Sequence, residues 1–287
     1  LELTSERGIK ELLNSHGFRF SKSMGQNFLV DAGVPENIAA GSGVDGSFGV
    51  LEIGPGIGAL TAALSRRAAR VVAVELDNKL LPILSDTLAD CGNVKVIPGD
   101  ILKLDIARTV REEMPGLRYA VCANLPYNIT TPVLTALVEA RVFETITVMV
   151  QREVARRMCA APGTSDYGAF SVFVQYHASP GILFDVPPSS FLPPPKVTSS
   201  VVTMALRREK PAEVADEAMF FRVVRAAFAQ RRKTLVNSLE SVFGGRLNKD
   251  ALKELVVGCG LDALARGETL GIPEFAALAR KLGDRLK

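Results

Sequence analysis

Val50-Leu51-Glu52-Ile53-Gly54-Pro55-Gly56-Ile57-Gly58 is the stretch on which the fold turns. A short apolar run stops at a glycine turn, and Ala59–Arg67 then carries apolar residues at helical spacing. Strand, glycine loop and helix in that order open the nucleotide-binding α/β folds. The glycines let backbone approach a ligand closely and take positive φ, and the helix N-terminus beyond them favours a carboxylate or phosphate. A dinucleotide loop places its third glycine one position later, where this chain has Ala59; some dinucleotide folds accept alanine there. The loop alone therefore fits a nicotinamide dinucleotide, another nucleoside cofactor, or a tight turn that binds nothing.

Working outward, strand and helix signals alternate. Val71–Val74 is β-branched and apolar, Lys79–Leu88 has helical spacing, Val94–Ile97 is a strand halted by Pro98-Gly99, and Ile106–Glu113 is helical. Tyr119–Ala123 is a fourth apolar strand, a helix runs from about Pro132 to Arg141, and Thr145–Val150 is a fifth strand before a basic helix, Gln151–Met158. This alternation predicts an α/β fold, a parallel sheet wound on both faces. Phe170–Tyr176 and Val201–Leu206 read as further strands that pair antiparallel at one sheet edge. Five prolines within Val186–Lys196 exclude helix and central strand and leave a rigid extended connector. Beyond about Glu209 only short helices follow, at Met219–Phe228, Lys233–Val242, Asp250–Val257 and Pro273–Leu282. The expected division is a catalytic, nucleotide-binding domain over 1–208 and a small helical domain over 209–287.

Composition narrows the classes of function. The 287 residues are 47% hydrophobic and 23% charged, which supports a sizeable core. The net charge of +3 and pI of about 8.7 fall short of a uniformly basic nucleic-acid binder, so any basic surface must be local. Cys91, Cys122, Cys159 and Cys259 are scattered, and His16 and His177 lie far apart, so neither a metal site nor a disulfide framework is expected. There is no recognisable signal peptide and no run of about 18 apolar residues. The expectation is a cytoplasmic monomer that needs no metal and no membrane.

The chemistry sits at strand ends, where open α/β sheets bind ligands. Glu75 ends the second strand, about 20 residues past the glycine loop, where a carboxylate can take both ribose hydroxyls. Asp100 follows the third strand and could accept the amino group of a bound adenine. Asp77 is placed to cap the next helix, and Glu52 could be an acid that fixes loop amides. Asn124-Leu125-Pro126-Tyr127 leaves the fourth strand. An amide oxygen, a peptide carbonyl, a rigid proline and an aromatic ring in sequence suit a flat base bearing an exocyclic amine. The oxygens accept its two N–H bonds and the ring stacks on its face. With the glycine loop, this points to methyl transfer onto an adenine amino group.

Gly25-Gln26-Asn27-Phe28-Leu29, Glu52-Ile53-Gly54-Pro55-Gly56, Val74-Glu75-Leu76-Asp77, Gly99-Asp100 and Asn124-Leu125-Pro126-Tyr127-Asn128-Ile129 resemble, in order, motifs of the rRNA adenine N6,N6-dimethyltransferase family. So do Val186-Pro187-Pro188, Phe191-Leu192-Pro193-Pro194-Pro195-Lys196-Val197 and Gln230-Arg231-Arg232-Lys233-Thr234-Leu235. The last two stretches favour the bacterial small-subunit branch over the Erm branch, which methylates 23S rRNA. The resemblance implies a Rossmann-like methyltransferase fold and S-adenosyl-L-methionine as cofactor. The substrate it implies is a pair of adjacent adenines in a hairpin near the 3′ end of 16S rRNA, within the 30S subunit. It puts the cofactor contacts on Asn27, Leu29, Gly54, Glu75, Asp100 and Asn124, with Gly56 in the same loop, and a role in ribosome biogenesis beside catalysis.

Tyr127 is the expected stacking ring, and Phe191, held among prolines, either forms the opposite wall or plugs the core beside the connector. Arg152, Arg156 and Arg157 recur at helical spacing after the fifth strand, and Arg222, Arg225, Arg231, Arg232 and Lys233 cluster in the helical part. These side chains could neutralise RNA phosphates in a salt-dependent manner. Three competing readings remain: a 23S or DNA adenine methyltransferase, a non-catalytic assembly factor that keeps the fold, and a nicotinamide oxidoreductase, which gives Asn124 to Tyr127 no task.

Overall fold

The computed structural model describes residues 3–20 and 26–286; Gly25 of the N-terminal motif lies outside them. The strands are β1 (Phe28–Leu29), β2 (Phe48–Ile53), β3 (Arg70–Glu75), β4 (Val94–Pro98), β5 (Arg118–Asn124), β6 (Thr145–Gln151), β7 (Ala178–Val186), β8 (Phe191–Leu192) and β9 (Ser199–Leu206). The helices are α1 (Glu6–Ser15), α2 (Gly33–Gly41), α3 (Ala59–Ser65), α4 (Leu81–Thr87), α5 (Ile106–Glu113), α6 (Thr130–Glu139), α7 (Arg152–Cys159), α8 (Ala169–His177), α9 (Glu217–Phe228), α10 (Leu235–Phe243), α11 (Lys249–Gly258) and α12 (Ile272–Leu286).

Seven strands form one sheet in the order β4-β3-β2-β5-β6-β9-β7. β2 pairs in parallel with β3 and β5, β3 with β4, and β5 with β6, while β9 runs antiparallel to β6. This is the doubly wound, Rossmann-like arrangement that the alternating pattern predicts. The order reverses at β2, and its loop and the ends of β3, β4 and β5 share one edge, the topological switch point where such sheets bind ligands. The central strands are buried on both faces: every residue of β2 is buried, as are Val71–Glu75 and Ala120–Ala123. Strands sandwiched between helices need continuous apolar runs, and these have them.

One expected strand is a helix. Phe170–Tyr176 lies within α8, and the edge strand beside β9 is β7. Its β-branched and aromatic residues favour strand locally, but Val172 and Tyr176, four apart, fall on one helical face. Both are fully buried in a core with Phe220, Val223 and Val224 of α9. Tertiary burial of that face overrides local preference. The proline-rich connector is also more structured than expected: Pro188–Ser190 form a short 3-10 turn, and β8 then pairs antiparallel with β1, Phe28 opposite Leu192 and Leu29 opposite Phe191.

The chain divides into two compact units, one comprising Leu1–Ala155 with Pro180–Leu206 and the other Arg156–Ser179 with Arg207–Lys287. The expected boundary at 208/209 thus has to be redrawn for residues 156–179. Tyr167, Val172 and Tyr176 complete the apolar core of the second unit, where the Tyr167 hydroxyl donates to the Leu270 carbonyl at 2.9 Å.

Candidate active site

Everything at the cleft is built from the first unit. The cleft encloses about 1190 Å³ of space open to solvent and is lined by the glycine loop, the ends of β3, β4 and β5, and the N-terminal segment from Gln26 to Leu29.

The loop takes its shape from glycine. Gly54, Gly56 and Gly58 have φ of 66°, 61° and 91°, a region L side chains rarely adopt. At Gly56 a Cβ would also come within 3.2 Å of the Phe28 ring, so the N-terminal segment packs directly on the loop. The Gly54 amide donates to the Val74 carbonyl at 2.9 Å, which pins the loop to β3.

The acids divide the edge between them. Glu75 is buried at the end of β3 and accepts from the Asp77 amide at 2.7 Å. Burial pushes its pKa up; amide donors from Asp77, Gly56 and Leu76 oppose that rise. Glu75 is thus the acid that amide donors around the loop favour, and no loop amide acts on Glu52, the acid the sequence singled out for that task. Glu52 is 1% exposed, and its Oε2 has no hydrogen-bond partner. Desolvation raises its pKa to about 8. Asp77 caps the short turn that follows, accepting from the Lys79 amide, as expected. Asp100 accepts from the Leu102 amide at 3.0 Å and lines the cleft at the end of β4.

Asn124 closes β5 and its side-chain nitrogen donates to the Asn27 carbonyl oxygen at 3.4 Å. This uses the amide's donor and leaves Oδ1 as an acceptor with no partner among the described residues. The Leu125 amide donates to the Met149 carbonyl at 3.2 Å on β6. Its buried side chain anchors the turn, and its own carbonyl accepts no hydrogen bond from a described residue. Pro126 sets the extended turn (φ −57°, ψ 130°) that carries the chain to Tyr127. The Tyr127 hydroxyl lies 2.6 Å from Ser199 Oγ, and burial raises the pKa of the phenol, which stays neutral at physiological pH. Two acceptors and a tethered ring thus share one wall of the cleft.

Most of the expected residues meet here. Asn27, Leu29, Gly54, Gly56, Glu75, Asp100, Asn124, Leu125, Pro126 and Tyr127 all line the cleft. Phe191 does not. It is 3% exposed and packed with Leu29, Val34, Ile38 and Val186, so it plugs the core beneath β1. The proline framework that was to hold it against a base instead presents its backbone to Leu29.

Three contributors were missed. Gln26 donates to Asp77 at 2.8 Å and ties the N-terminal segment across the cleft. Leu76, between two acids, is 51% exposed yet lines the cleft. Its signal was an apolar residue in an otherwise acidic strand-end turn. Ser199 carried no local signal; only its register opposite Gln151 places it beside Tyr127.

The basic residues are exposed, Arg152, Arg156 and Arg157 on α7, Arg222 and Arg225 on α9, and Arg231, Arg232 and Lys233 on the turn that follows it. Arg152 lies 3.8 Å from Asp185, and its amide donates to the Thr198 carbonyl one residue from Ser199. Arg156 and Arg157 follow on α7. In the second unit the Arg222 guanidinium covers the Phe243 ring at 4.7 Å. Arg231 bonds the Ser165 carbonyl and lies 3.8 Å from Glu268. Arg225, Arg232 and Lys233 make no ion pair among the described residues. Among those residues no group of three or more His, Cys, Asp or Glu side chains could hold a metal ion, and no helix is long and apolar enough to cross a membrane.

The residues present fit S-adenosyl-L-methionine: Glu75 could take the ribose diol and Asp100 the adenine amine, with Leu76 and Ile101 as apolar surface in the same cleft. Comparison with known proteins agrees. The family model described as ribosomal RNA adenine dimethylase matches residues 17–276. The chain is 45% identical over 285 residues to the ribosomal RNA small subunit methyltransferase A of Alkaliphilus oremlandii, covering 99% of each chain. It is 46% identical to the protein of the same description from Geobacillus kaustophilus, covering 95% of this chain and 94% of that one. A dimethyladenosine transferase from Plasmodium falciparum superposes with a TM-score of 0.74 at 25% identity, over 90% of this chain and 98% of that one. The 23S rRNA methyltransferase ErmE gives 0.67 at 25% identity, over 89% and 99%.

Proposed function

The chain belongs to the ribosomal RNA adenine dimethylase family, and from that premise we propose that it dimethylates N6 of two adjacent adenosines in a hairpin loop near the 3′ end of 16S rRNA. It is a methyltransferase whose cofactor is S-adenosyl-L-methionine. Its substrate would be the 30S subunit or a precursor of it, which gives the enzyme a place in ribosome biogenesis. The single observation that carries this reading is the pair of acceptors, Asn124 Oδ1 and the Leu125 carbonyl, which have no partner among the described residues and line the same cleft as the tethered Tyr127.

When bound, S-adenosyl-L-methionine supplies a methyl group activated by its sulfonium. The obstacle lies with the nucleophile, because the adenine N6 lone pair is delocalised into the ring. Asn124 Oδ1 and the Leu125 carbonyl accept the two N6 hydrogens and favour a pyramidal nitrogen whose lone pair turns toward the methyl carbon. Orienting two reactants can lower a barrier by roughly 7–11 kcal/mol. The same oxygens stabilise the positive charge that grows on N6. The alkylated nitrogen is acidic and sheds its proton to solvent, so no strong base is required; among the described residues that line the cleft there is no histidine. Tyr127 stacks on the base, a contact worth about 1–3 kcal/mol elsewhere. A base must leave its helix to be stacked, which favours unpaired loop adenines. The second transfer starts from an amine with one N–H, so one of the two acceptors then loses its partner and the cleft must house the first methyl.

RNA recognition is distributed over exposed arginines. Arg152, Arg156 and Arg157 on α7, and Arg225, Arg232 and Lys233 on α9 and the turn after it, contact phosphates. Arg222 and Arg231 divide their charge between RNA and the intramolecular contacts they already make.

Incubation of the protein with labelled cofactor and separate undermodified 30S particles, 50S particles and duplex DNA tests this directly. We expect label in 30S rRNA alone, mapping to two neighbouring adenosines. Label in 50S rRNA would favour the 23S reading that the likeness to ErmE supports, and label in neither would leave a binding role.

A further inference from the structure

Glu52 is a carboxyl group with no visible means of carrying a charge. It sits inside β2, one residue before the glycine loop, and is 1% exposed; its Oε2 is buried and unpartnered. Thr61 of α3 is near enough to ease a charge there, yet its hydroxyl is also left without a hydrogen bond. The titratable groups that act on Glu52 from the neighbouring strands are Glu75 on β3, whose negative charge opposes ionisation, and Cys122 on β5, a buried thiol whose own pKa is pushed up to about 12. Among the described residues no cation acts on Glu52. An ionised carboxylate left in such surroundings is strongly disfavoured and takes up a proton instead. Desolvation raises the pKa to about 8, in keeping with this.

Such a group is neither a helix cap nor part of an ion pair, and a buried orphan acid costs stability. Its position gives it a partner. Glu52 lines the cleft, on the strand between those ending in Glu75 and Asn124. If the ribose lies at Glu75 and the base at Asp100, the rest of the cofactor runs back across the sheet edge toward β2 and β5. That portion ends in an amino acid with an α-ammonium group.

We propose that Glu52 is a proton-linked positioning residue: it stands as a neutral acid in the free enzyme and ionises when the cofactor's α-ammonium group enters, so that cofactor binding releases one proton to solvent. This rests on the methyltransferase reading above. The exchange balances: the Glu52 O–H bond breaks, its proton goes to buffer, and the resulting carboxylate pairs with the intact ammonium. No bond forms to the cofactor.

Titration calorimetry of the whole chain at pH 7, repeated in buffers of different ionisation enthalpy, counts protons released per ligand bound. With S-adenosyl-L-methionine and with S-adenosylhomocysteine, which keeps the ammonium but lacks the sulfonium, we expect release of close to one proton. With 5′-methylthioadenosine, which lacks the amino-acid end, we expect none. Glu52→Gln should bind S-adenosyl-L-methionine on the order of ten- to a hundredfold more weakly, with no proton release. Binding by the wild-type protein without proton release, or equal release by the Gln variant, overturns the inference while the methyltransferase reading stands. Absence of any S-adenosyl-L-methionine binding overturns both. Release with S-adenosyl-L-methionine but not S-adenosylhomocysteine overturns the ammonium as the partner. The methylthioadenosine comparison needs only wild-type protein, so it decides the matter even if the Gln variant does not fold.

Discussion

The Asn124 side-chain nitrogen and the Asn27 carbonyl oxygen, 97 residues apart in sequence, meet at 3.4 Å across the cleft. This contact settles which end of the Asn124 amide is left to accept. It also makes the N-terminal segment part of the cleft wall that Asn124 lines. That segment is held from two further directions, by Gln26 on Asp77 at 2.8 Å and by β1 pairing with β8.

Gln26→Ala removes one of those ties without touching the acceptors. Losing a hydrogen bond to a charged group costs about 1.5–3 kcal/mol. Equilibrium dialysis should show weaker S-adenosyl-L-methionine binding by about tenfold or more, with a parallel loss of turnover at fixed cofactor. Unchanged affinity would mean that the segment keeps its place without this bond.

Ser199 holds Tyr127 by its hydroxyl at 2.6 Å. Ser199→Ala and Tyr127→Phe both delete that bond and spare the ring. Each should lower kcat/KM for undermodified 30S particles by about fivefold, the worth of roughly 1 kcal/mol. The double variant should be no worse than either single one, because both remove the same interaction. Additive losses would show two separate roles.

Much of this site could be read before the structure because its chemistry lies at strand ends. β2, β3 and β5 are buried on both faces and announce themselves as apolar runs that lead to Gly54, Glu75 and Asn124, while Asp100 follows the partly exposed edge strand β4. What could not be read depends on contacts distant in sequence. Ser199 faces Tyr127 only because β9 is in register with β6. Phe191, rigid among its prolines, could face a base or plug the core; rigidity does not say which way a ring points, and here it points into the core. Residues 170–176 have the composition of a strand and the spacing of a buried helix face, and the core around Phe220 decides between them.

Phe191→Ala should therefore act on stability. Truncating a fully buried phenylalanine costs about 3–5 kcal/mol, read as a fall in Tm or denaturant midpoint. Phe191→Leu keeps most of the buried volume and should keep KM for RNA within a factor of about two. A Leu variant of normal stability with a strongly raised KM would restore Phe191 to the base-binding wall.

Stability should also depend on pH through Glu52. Its pKa is about 8 in the folded protein against 4.5 for the ordinary group. Between these values the folded state binds more protons than the unfolded one, so this group's contribution falls as pH rises and levels off above about pH 8. In the absence of cofactor, Tm should drop more steeply from pH 6 to pH 9 in wild type than in Glu52→Gln, whose amide does not titrate. Parallel curves would show that Glu52 is ionised throughout.

The most direct measurement is single-turnover methyl transfer by Asn124→Ala to undermodified 30S particles, made beside its affinity for S-adenosyl-L-methionine. We expect cofactor still to bind measurably while the rate of transfer falls by a factor on the order of 10²–10³ or more, as when one charge-stabilising group is lost from a preorganised site. Transfer at the wild-type rate by a variant that binds cofactor would contradict the orienting role of Asn124 and, with it, the mechanism built on that residue.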